Sequence, residues 1–175
     1  MNIKKVLVAN RGEIAIRIFR ACTEIGLKTV GIYTFEDRYS LHRYKADESY
    51  QIGEDNDPLK PYLNIRAIIQ IAKKNGVDAI HPGYGFLSEN PEFARQCKEN
   101  DIIFIGPKVQ VLKSLGDKVR AKEVAVQNEV PIIKSNEREL DTLEIAVEEA
   151  ATIGYPLMLK AASGGGGRGM RVIRD

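Results

Sequence analysis

The residues of this chain most suited to chemistry lie at positions 160–170, with the sequence KAASGGGGRGM. Four consecutive glycines remove side-chain bulk from a short loop, so its backbone N–H groups can surround an anion. A lysine before the loop and an arginine within it add positive charge. This combination predicts a site for the phosphates of a nucleotide. Its predicted contact residues are Lys160, Gly164, Gly165, Gly166, Gly167, Arg168 and Gly169.

The loop is not a Walker A motif, because no Gly-Lys-Ser/Thr follows and the next segment has the pattern of a strand. A phosphate lid between two antiparallel strands fits better than a flexible hairpin without a ligand, since ordering so many glycines is entropically costly. Lys160 follows an apolar run, and we expect its aliphatic stem to be buried. Lys118 stands at a predicted helix start, where a cation opposes the helix dipole, which hints at a ligand; an ordinary surface lysine is the alternative.

A second candidate site is the loop at residues 81–90, HPGYGFLSEN, which follows a predicted strand. Its glycines allow an imidazole, a phenol and a carboxylate to be presented close together at the sheet edge where ligands bind. We predict ligand contact here. In the alternative, the imidazole bonds a neighbouring carbonyl and the aromatic rings cover the sheet edge. The residues concerned are His81, Gly83, Tyr84, Gly85 and Phe86.

The first turn, residues 9–13, reaches the same sheet edge before a helix N-terminus. A dinucleotide fingerprint would need Gly-x-Gly-x-x-Gly, and only Gly12 is present, so NAD binding is disfavoured. Glu36 and Asp37 follow the second strand, where a ribose-binding acid would stand in such a fold. Without the glycines, we expect these two acids to lie in a solvated turn.

The pattern of elements predicts an α/β fold. Strands at residues 3–9 and 29–34 flank a helix at 13–25, which is a βαβ unit with a parallel sheet. Further strands are predicted at 50–52, 77–80 and 102–105, with helices at 64–74 and 91–99. Residues 1–115 therefore form a doubly wound, Rossmann-like domain.

Residues 116–175 are predicted to begin an α+β second domain. It has helices at 118–128 and 142–153, a strand at 130–134, and two antiparallel strands at 155–161 and 169–173 around the glycine loop. In the first helix, Arg17, Arg20 and Glu24 share one stripe. A solvated face is the usual explanation, and a polar subunit interface is the sharper one.

Composition excludes several classes of protein. The 175 residues carry a formal net charge of +2 without a basic run, which disfavours nucleic acid as a partner. No stretch of about 18 apolar residues suggests a membrane span, and no secretory signal is evident, so we expect a cytoplasmic protein without a membrane partner. Cys22 and Cys97 are isolated within helices and are predicted to be buried thiols.

Seven segments together resemble the biotin carboxylase family of ATP-grasp enzymes. They cover the chain in order and are residues 8–15 (VANRGEIA), 46–48 (ADE), 62–65 (YLNI), 81–90, 104–107 (FIGP), 116–118 (GDK) and 160–170. The resemblance implies a pre-ATP-grasp domain followed by the start of an ATP-grasp domain. It also implies a reaction in which MgATP activates bicarbonate as carboxyphosphate and biotin on a carrier domain is carboxylated.

By this resemblance, Lys118, Lys160, residues 164–167, Arg168 and Gly169 bind ATP. The residues at 81 and 83–86 form a wall near the biotin and bicarbonate pocket, and the stripe on the first helix contacts the partner of a homodimer. The magnesium ligands and the residues that handle bicarbonate and biotin chemically are expected beyond residue 175. We therefore expect no ATP hydrolysis from this polypeptide alone, and no metal ligand or catalytic residue is assigned within it.

Two details favour the pyruvate carboxylase type within the family: residues 43–48 (RYKADE), and four rather than five glycines after Ser163. The residue type at Ser163 leaves the acetyl-CoA and propionyl-CoA carboxylase types open. Expected partners are the remainder of the carboxylase, a biotin carboxyl carrier domain and a carboxyltransferase domain. Alternatives outside this group are another ATP-grasp ligase, such as a carbamoyl-phosphate synthetase or a purine-pathway carboxylase, and a non-catalytic nucleotide-binding or dimerisation module.

Overall fold

A computed structural model of the chain describes residues 3–54, 57–133, 140–160 and 169–175, with residues 118 and 119 described by their backbone alone. The chain forms two compact units, Met1–Gly116 and Asp117–Asp175. Within the described residues, no helix is long and apolar enough to cross a membrane.

The first unit is built on a five-stranded sheet in which every neighbouring pair of strands is parallel. The strands are β1 (Lys5–Val8), β2 (Lys28–Tyr33), β3 (Glu48–Gln51), β4 (Ala79–His81) and β5 (Ile103–Phe104). Their order is β3-β2-β1-β4-β5, so the chain leaves β1 towards one side of the sheet and later returns to its other side at β4. The parallel sheet predicted from the sequence is confirmed.

Helices cover both faces of this sheet. They are α1 (Gly12–Glu24), α2 (Leu41–Lys45), α3 (Ile65–Lys74), α4 (Pro91–Glu99) and α5 (Val109–Gly116). Phe19 of α1 packs with Val6 and Val8, whereas α3 and α4 pack on the face that carries Leu7 and Ile80. Alternate strand residues point to opposite faces, so the two clusters lie on opposite sides of the sheet. The arrangement is the predicted doubly wound one.

Local sequence signals explain several helix boundaries. Asn64 and Asn90 cap α3 and α4, accepting hydrogen bonds from Ala67 N at 3.1 Å and from Phe93 N at 3.0 Å. The two cysteines are buried and unpaired, as predicted. The sequence did not predict α2, α5 or the short 3-10 segments Glu36–Tyr39 and Lys60–Leu63.

The second unit contains α6 (Lys118–Gln127), α7 (Leu143–Ile153) and the antiparallel pair β6 (Leu157–Lys160) and β7 (Met170–Ile173). These elements match the predicted ones. The predicted strand at 130–134 is wrong over residues 130–133, which have no regular structure; residue 134 lies outside the described residues. These residues follow a turn that ends α6, in which Glu129 has a positive φ of 56° and Val130 N donates a hydrogen bond to Ala125 O.

Candidate functional site

The candidate site lies at the carboxyl edge of the sheet, where the segments after β1 and β4 meet. These two strands are neighbours, and Ala9 N continues their ladder by donating to His81 O at 2.9 Å. The connections from β1 to β2 and into β4 run to opposite sides of the sheet, so this edge is the topological switch point of the fold. Ligands of open α/β sheets bind at such a point.

Asn10 joins the two segments. Its side-chain nitrogen Nδ2 donates to Pro82 O and to Tyr84 O, both at 2.8 Å, and its Oδ1 accepts from Arg11 N at 2.9 Å. The residue is only 3% exposed. Gly83 lies between the two accepting carbonyls with a φ of +68°, and a Cβ added there would stand 2.6 Å from Asn10 Nδ2. Both the conformation and the close approach require glycine at this position.

His81, the last residue of β4, faces the same loop. Its Nδ1 accepts a hydrogen bond from Gly83 N at 3.0 Å, so this ring nitrogen carries no proton. Burial lowers the pKa of His81 below its usual value, which keeps the imidazole neutral near pH 7. The sequence left open a bond from this imidazole to a neighbouring carbonyl. The observed partner of Nδ1 is instead a backbone N–H.

The two aromatic residues of the loop differ in their surroundings. Tyr84 is 61% exposed and its hydroxyl donates to Glu13 Oε1, a contact that raises the pKa of the Tyr84 phenol. Phe86, with a φ of +37°, packs against the core and stacks on Tyr62 with the ring centroids 5.3 Å apart. Phe86 therefore anchors the loop, while the Tyr84 ring stays exposed.

Beside Tyr62 lies a partly buried ion pair, which the sequence did not predict. Arg11 Nε donates to Asp37 Oδ2 at 2.6 Å, and the hydroxyls of Tyr62 and Ser40 donate to the same carboxylate at 2.7 and 2.8 Å. Burial alone would raise the pKa of Asp37, but these donors outweigh it and hold the pKa at about 2. The expectation of a solvated turn is wrong for Asp37, because Arg11 neutralises a carboxylate that is only 3% exposed.

The residues assigned to ATP are described only in part. Lys160 is the last residue of β6 and pairs with Met170 of β7. Lys160 is exposed within the part of the chain that the structure describes, so the prediction that its aliphatic stem is buried is wrong. Gly169 has a φ of +73° just before β7. Residues 164–167, Arg168 and the side chain of Lys118 lie outside the described residues, although the backbone of Lys118 begins α6 as predicted.

Two further features bear on the predictions. In the described part of the chain, no group of His, Cys, Asp and Glu side chains could hold a metal ion. The stripe on α1 is solvated in this single chain: Arg17 is exposed, and Arg20 Nε lies 3.0 Å from Glu24 Oε1 in an exposed ion pair.

The sequence placed residues 9–13 at this edge and Asp37 after the second strand, but it predicted no contact or role for Asn10, Arg11 or Asp37. Asn10 had a usable signal, because it is an amide that directly follows a strand buried on both faces. Arg11 and Asp37 had none, since their pairing joins residues 26 apart across two turns.

The chain resembles proteins of established families along its whole length. Residues 2–112 match the model for "Biotin carboxylase, N-terminal domain", and residues 117–175 match that for "Carbamoyl-phosphate synthase L chain, ATP binding domain". Over 174 residues the chain is 57% identical to pyruvate carboxylase from Bacillus subtilis, covering 99% of this chain and 15% of that protein.

Solved structures show the same likeness. The biotin carboxylase domain dimer of the 2-oxoglutarate carboxylase from Hydrogenobacter thermophilus, in complex with MgADP, ADP and bicarbonate, aligns with a TM-score of 0.92 and 50% identity. The alignment covers 100% of this chain and 38% of that one. A biotin carboxylase from Campylobacter jejuni in complex with β-γ-ATP aligns with a TM-score of 0.92 and 46% identity, covering 99% of this chain and 39% of that one.

Proposed function

This chain belongs to the biotin carboxylase family, and from that premise we propose that it is the N-terminal part of the biotin carboxylase component of a biotin-dependent carboxylase. The reaction of the whole protein would be the MgATP-dependent carboxylation of carrier-bound biotin with bicarbonate, through carboxyphosphate. The chain spans 15% of the pyruvate carboxylase that it resembles, so this activity is proposed for the longer protein. We propose a domain boundary at residues 115/116.

The observation that carries this proposal is the loop at the switch point, with its exposed Tyr84 beside glycine backbone. A Cβ added at Gly85, the residue after Tyr84, would meet no atom within 4 Å outside its chain neighbours, so the space beside this backbone is open. The ureido ring of biotin is flat and carries N–H and C=O groups, which suits stacking on an exposed ring and hydrogen bonding to backbone. We propose that residues 81–86 form one wall of the biotin and bicarbonate pocket.

On the nucleotide side, we propose that Lys118, Lys160, residues 164–167, Arg168 and Gly169 contact ATP. The exposed position of Lys160 at the end of β6 leaves its ammonium free to reach a phosphate. The glycines would close over the phosphates and keep water from a labile intermediate. Bound Mg²⁺ would neutralise phosphate charge, and we propose ligands for it outside residues 1–175.

The proposed partners follow from the same family. We propose the rest of the carboxylase, a biotin carboxyl carrier domain and a carboxyltransferase domain as partners, with dimer contacts at Arg17, Arg20 and Glu24. The 57% identity to a pyruvate carboxylase supports pyruvate as the acceptor type. The two buried, unpaired cysteines suit a reducing compartment, which supports a cytoplasmic location. Neither nucleic acid nor membrane is proposed as a partner.

The test is label transfer by the full-length protein. Incubation with ATP, Mg²⁺, radioactive bicarbonate and free biotin should give acid-labile carboxybiotin, and Tyr84→Ala should reduce its rate of formation. Tyr39→Ala is the matched control, because Tyr39 is exposed but lies outside the loop. Carboxybiotin formation that requires no ATP, or none at all with a folded wild-type protein, would refute the proposed function.

A further inference from the structure

We propose that Asn10 is a positioning residue for biotin binding, acting through the backbone of the loop that carries Tyr84. The inference rests on the proposed function, because it assumes that residues 81–86 form a wall of the biotin pocket. It assigns to Asn10 no contact with substrate and no proton transfer.

The hydrogen-bonding capacity of the Asn10 amide is matched to this loop. A primary amide has two N–H groups, and Nδ2 donates to two carbonyls, Pro82 O and Tyr84 O, each at 2.8 Å. The amide oxygen is engaged with Arg11 N, which fixes which end of the amide faces the loop. Asn10 is 3% exposed and its bond to Pro82 is buried, so losing the donors would leave the Pro82 carbonyl without a ready replacement from water.

The position of Tyr84 depends on this anchor. Its side chain is 61% exposed, and the hydrogen bond described for its hydroxyl goes to Glu13, a side chain that is itself exposed. Exposed contacts of this kind fix a ring weakly, whereas the buried amide holds the Tyr84 carbonyl directly. Displacement of a binding wall by about 1 Å can lower the efficiency of an enzyme by about 100-fold. Asn10 therefore sets where the exposed ring stands.

The chain offers a matched control at the opposite edge of the same strands. Asp78 Oδ2, just before β4, accepts hydrogen bonds from Lys4 N at 2.8 Å and Lys5 N at 2.9 Å. It ties the segment before β4 to the segment that leads into β1 with two side-chain-to-backbone bonds, as Asn10 does at the carboxyl edge. Loss of Asp78 should loosen the sheet without moving the 81–86 loop.

The experiment uses the full-length protein with free biotin as the probe. Asn10→Asp keeps the side-chain shape and removes both donors, and Asn10→Ala removes all three hydrogen bonds of the amide. We expect either change to raise the KM for biotin about tenfold or more, with a fall in kcat of less than about threefold. Deuterium uptake in the peptide covering residues 81–90 should rise in both variants. Asp78→Ala should change neither the KM nor that uptake.

The outcomes separate this inference from the proposed function. A wild-type protein that turns over biotin, with an unchanged KM for biotin in Asn10→Asp and Asn10→Ala, overturns the role of Asn10 alone. An equal rise in KM in Asp78→Ala overturns it too, since the effect would then be one of general stability. A wild-type protein that does not carboxylate biotin refutes the proposed function and this inference together.

Discussion

Replacing Gly83 by alanine tests the packing of the loop against Asn10. The new Cβ would stand 2.6 Å from Asn10 Nδ2 and 3.0 Å from its Cγ, closer than real side chains approach. Asn10 cannot rotate away freely, because its buried amide makes three hydrogen bonds. The substitution must therefore displace either the loop or the amide.

The expected loss of stability has two parts. A non-glycine residue at a φ of +68° costs about 1 kcal/mol. Breaking the hydrogen bonds of a buried amide adds about 2 kcal/mol. The sum for Gly83→Ala is about 3 kcal/mol. Gly85→Ala is the matched control, because Gly85 has a φ of +64° and open space around its Cβ position. Only the first part applies there, about 1 kcal/mol.

The measurement is urea unfolding of the chain followed by circular dichroism, with a double-mutant cycle between positions 83 and 10. Because the clash needs the Asn10 side chain, adding Gly83→Ala to Asn10→Ala should cost only about 1 kcal/mol more. Equal losses for Gly83→Ala and Gly85→Ala, or strict additivity in the cycle, would refute the packing described for Asn10.

Four further predictions concern Asp37, the Tyr84 phenol, Arg20 and the isolated polypeptide. The pKa of Asp37 is about 2 in the folded chain against an ordinary 3.8, so ionised Asp37 stabilises the fold by about 2 kcal/mol. This stabilisation is complete above about pH 4 and is lost as the pH falls towards 2. Asp37→Asn should remove this part of the pH dependence of the free energy of unfolding, and an unaltered pH profile would contradict the prediction. Glu13→Gln should lower the pKa of the Tyr84 phenol, seen by NMR titration of ¹³C-labelled tyrosine; no change would argue against their hydrogen bond. Arg20→Glu should weaken a dimer of the full-length protein in light scattering, whereas monomers in both samples would exclude the α1 interface. Residues 1–175 alone should show no bicarbonate- and biotin-dependent ATP hydrolysis, since the chain covers 38% of a related biotin carboxylase domain, and such activity would be a contradiction.

Much of the fold could be predicted from local patterns. Buried apolar runs and helical spacing located the main elements, and the strand–helix–strand order implied parallel strands. The short helix α2 was missed because five residues carry too little periodicity to read. The predicted strand at 130–134 failed because an apolar run shows no pairing partner, and sheet formation depends on one.

The site could be predicted only as far as local sequence reaches. The loop at 81–86 was located because glycines and chemically active side chains follow a strand. The pairing of Arg11 with Asp37 could not be found, because it depends on two turns meeting in space. The role of Asn10 likewise depends on carbonyls more than 70 residues away. Hydrogen bonds between distant segments are set by topology, which spacing alone does not show.

The most direct test of the central claim is a crystal structure of the full-length protein with biotin, bicarbonate and MgADP. We predict the ureido ring of biotin against Tyr84 and the backbone of residues 83–86, with both donors of Asn10 still on the carbonyls of Pro82 and Tyr84. Biotin bound away from the carboxyl edge of the five-stranded sheet would contradict the assignment of this loop to the biotin pocket.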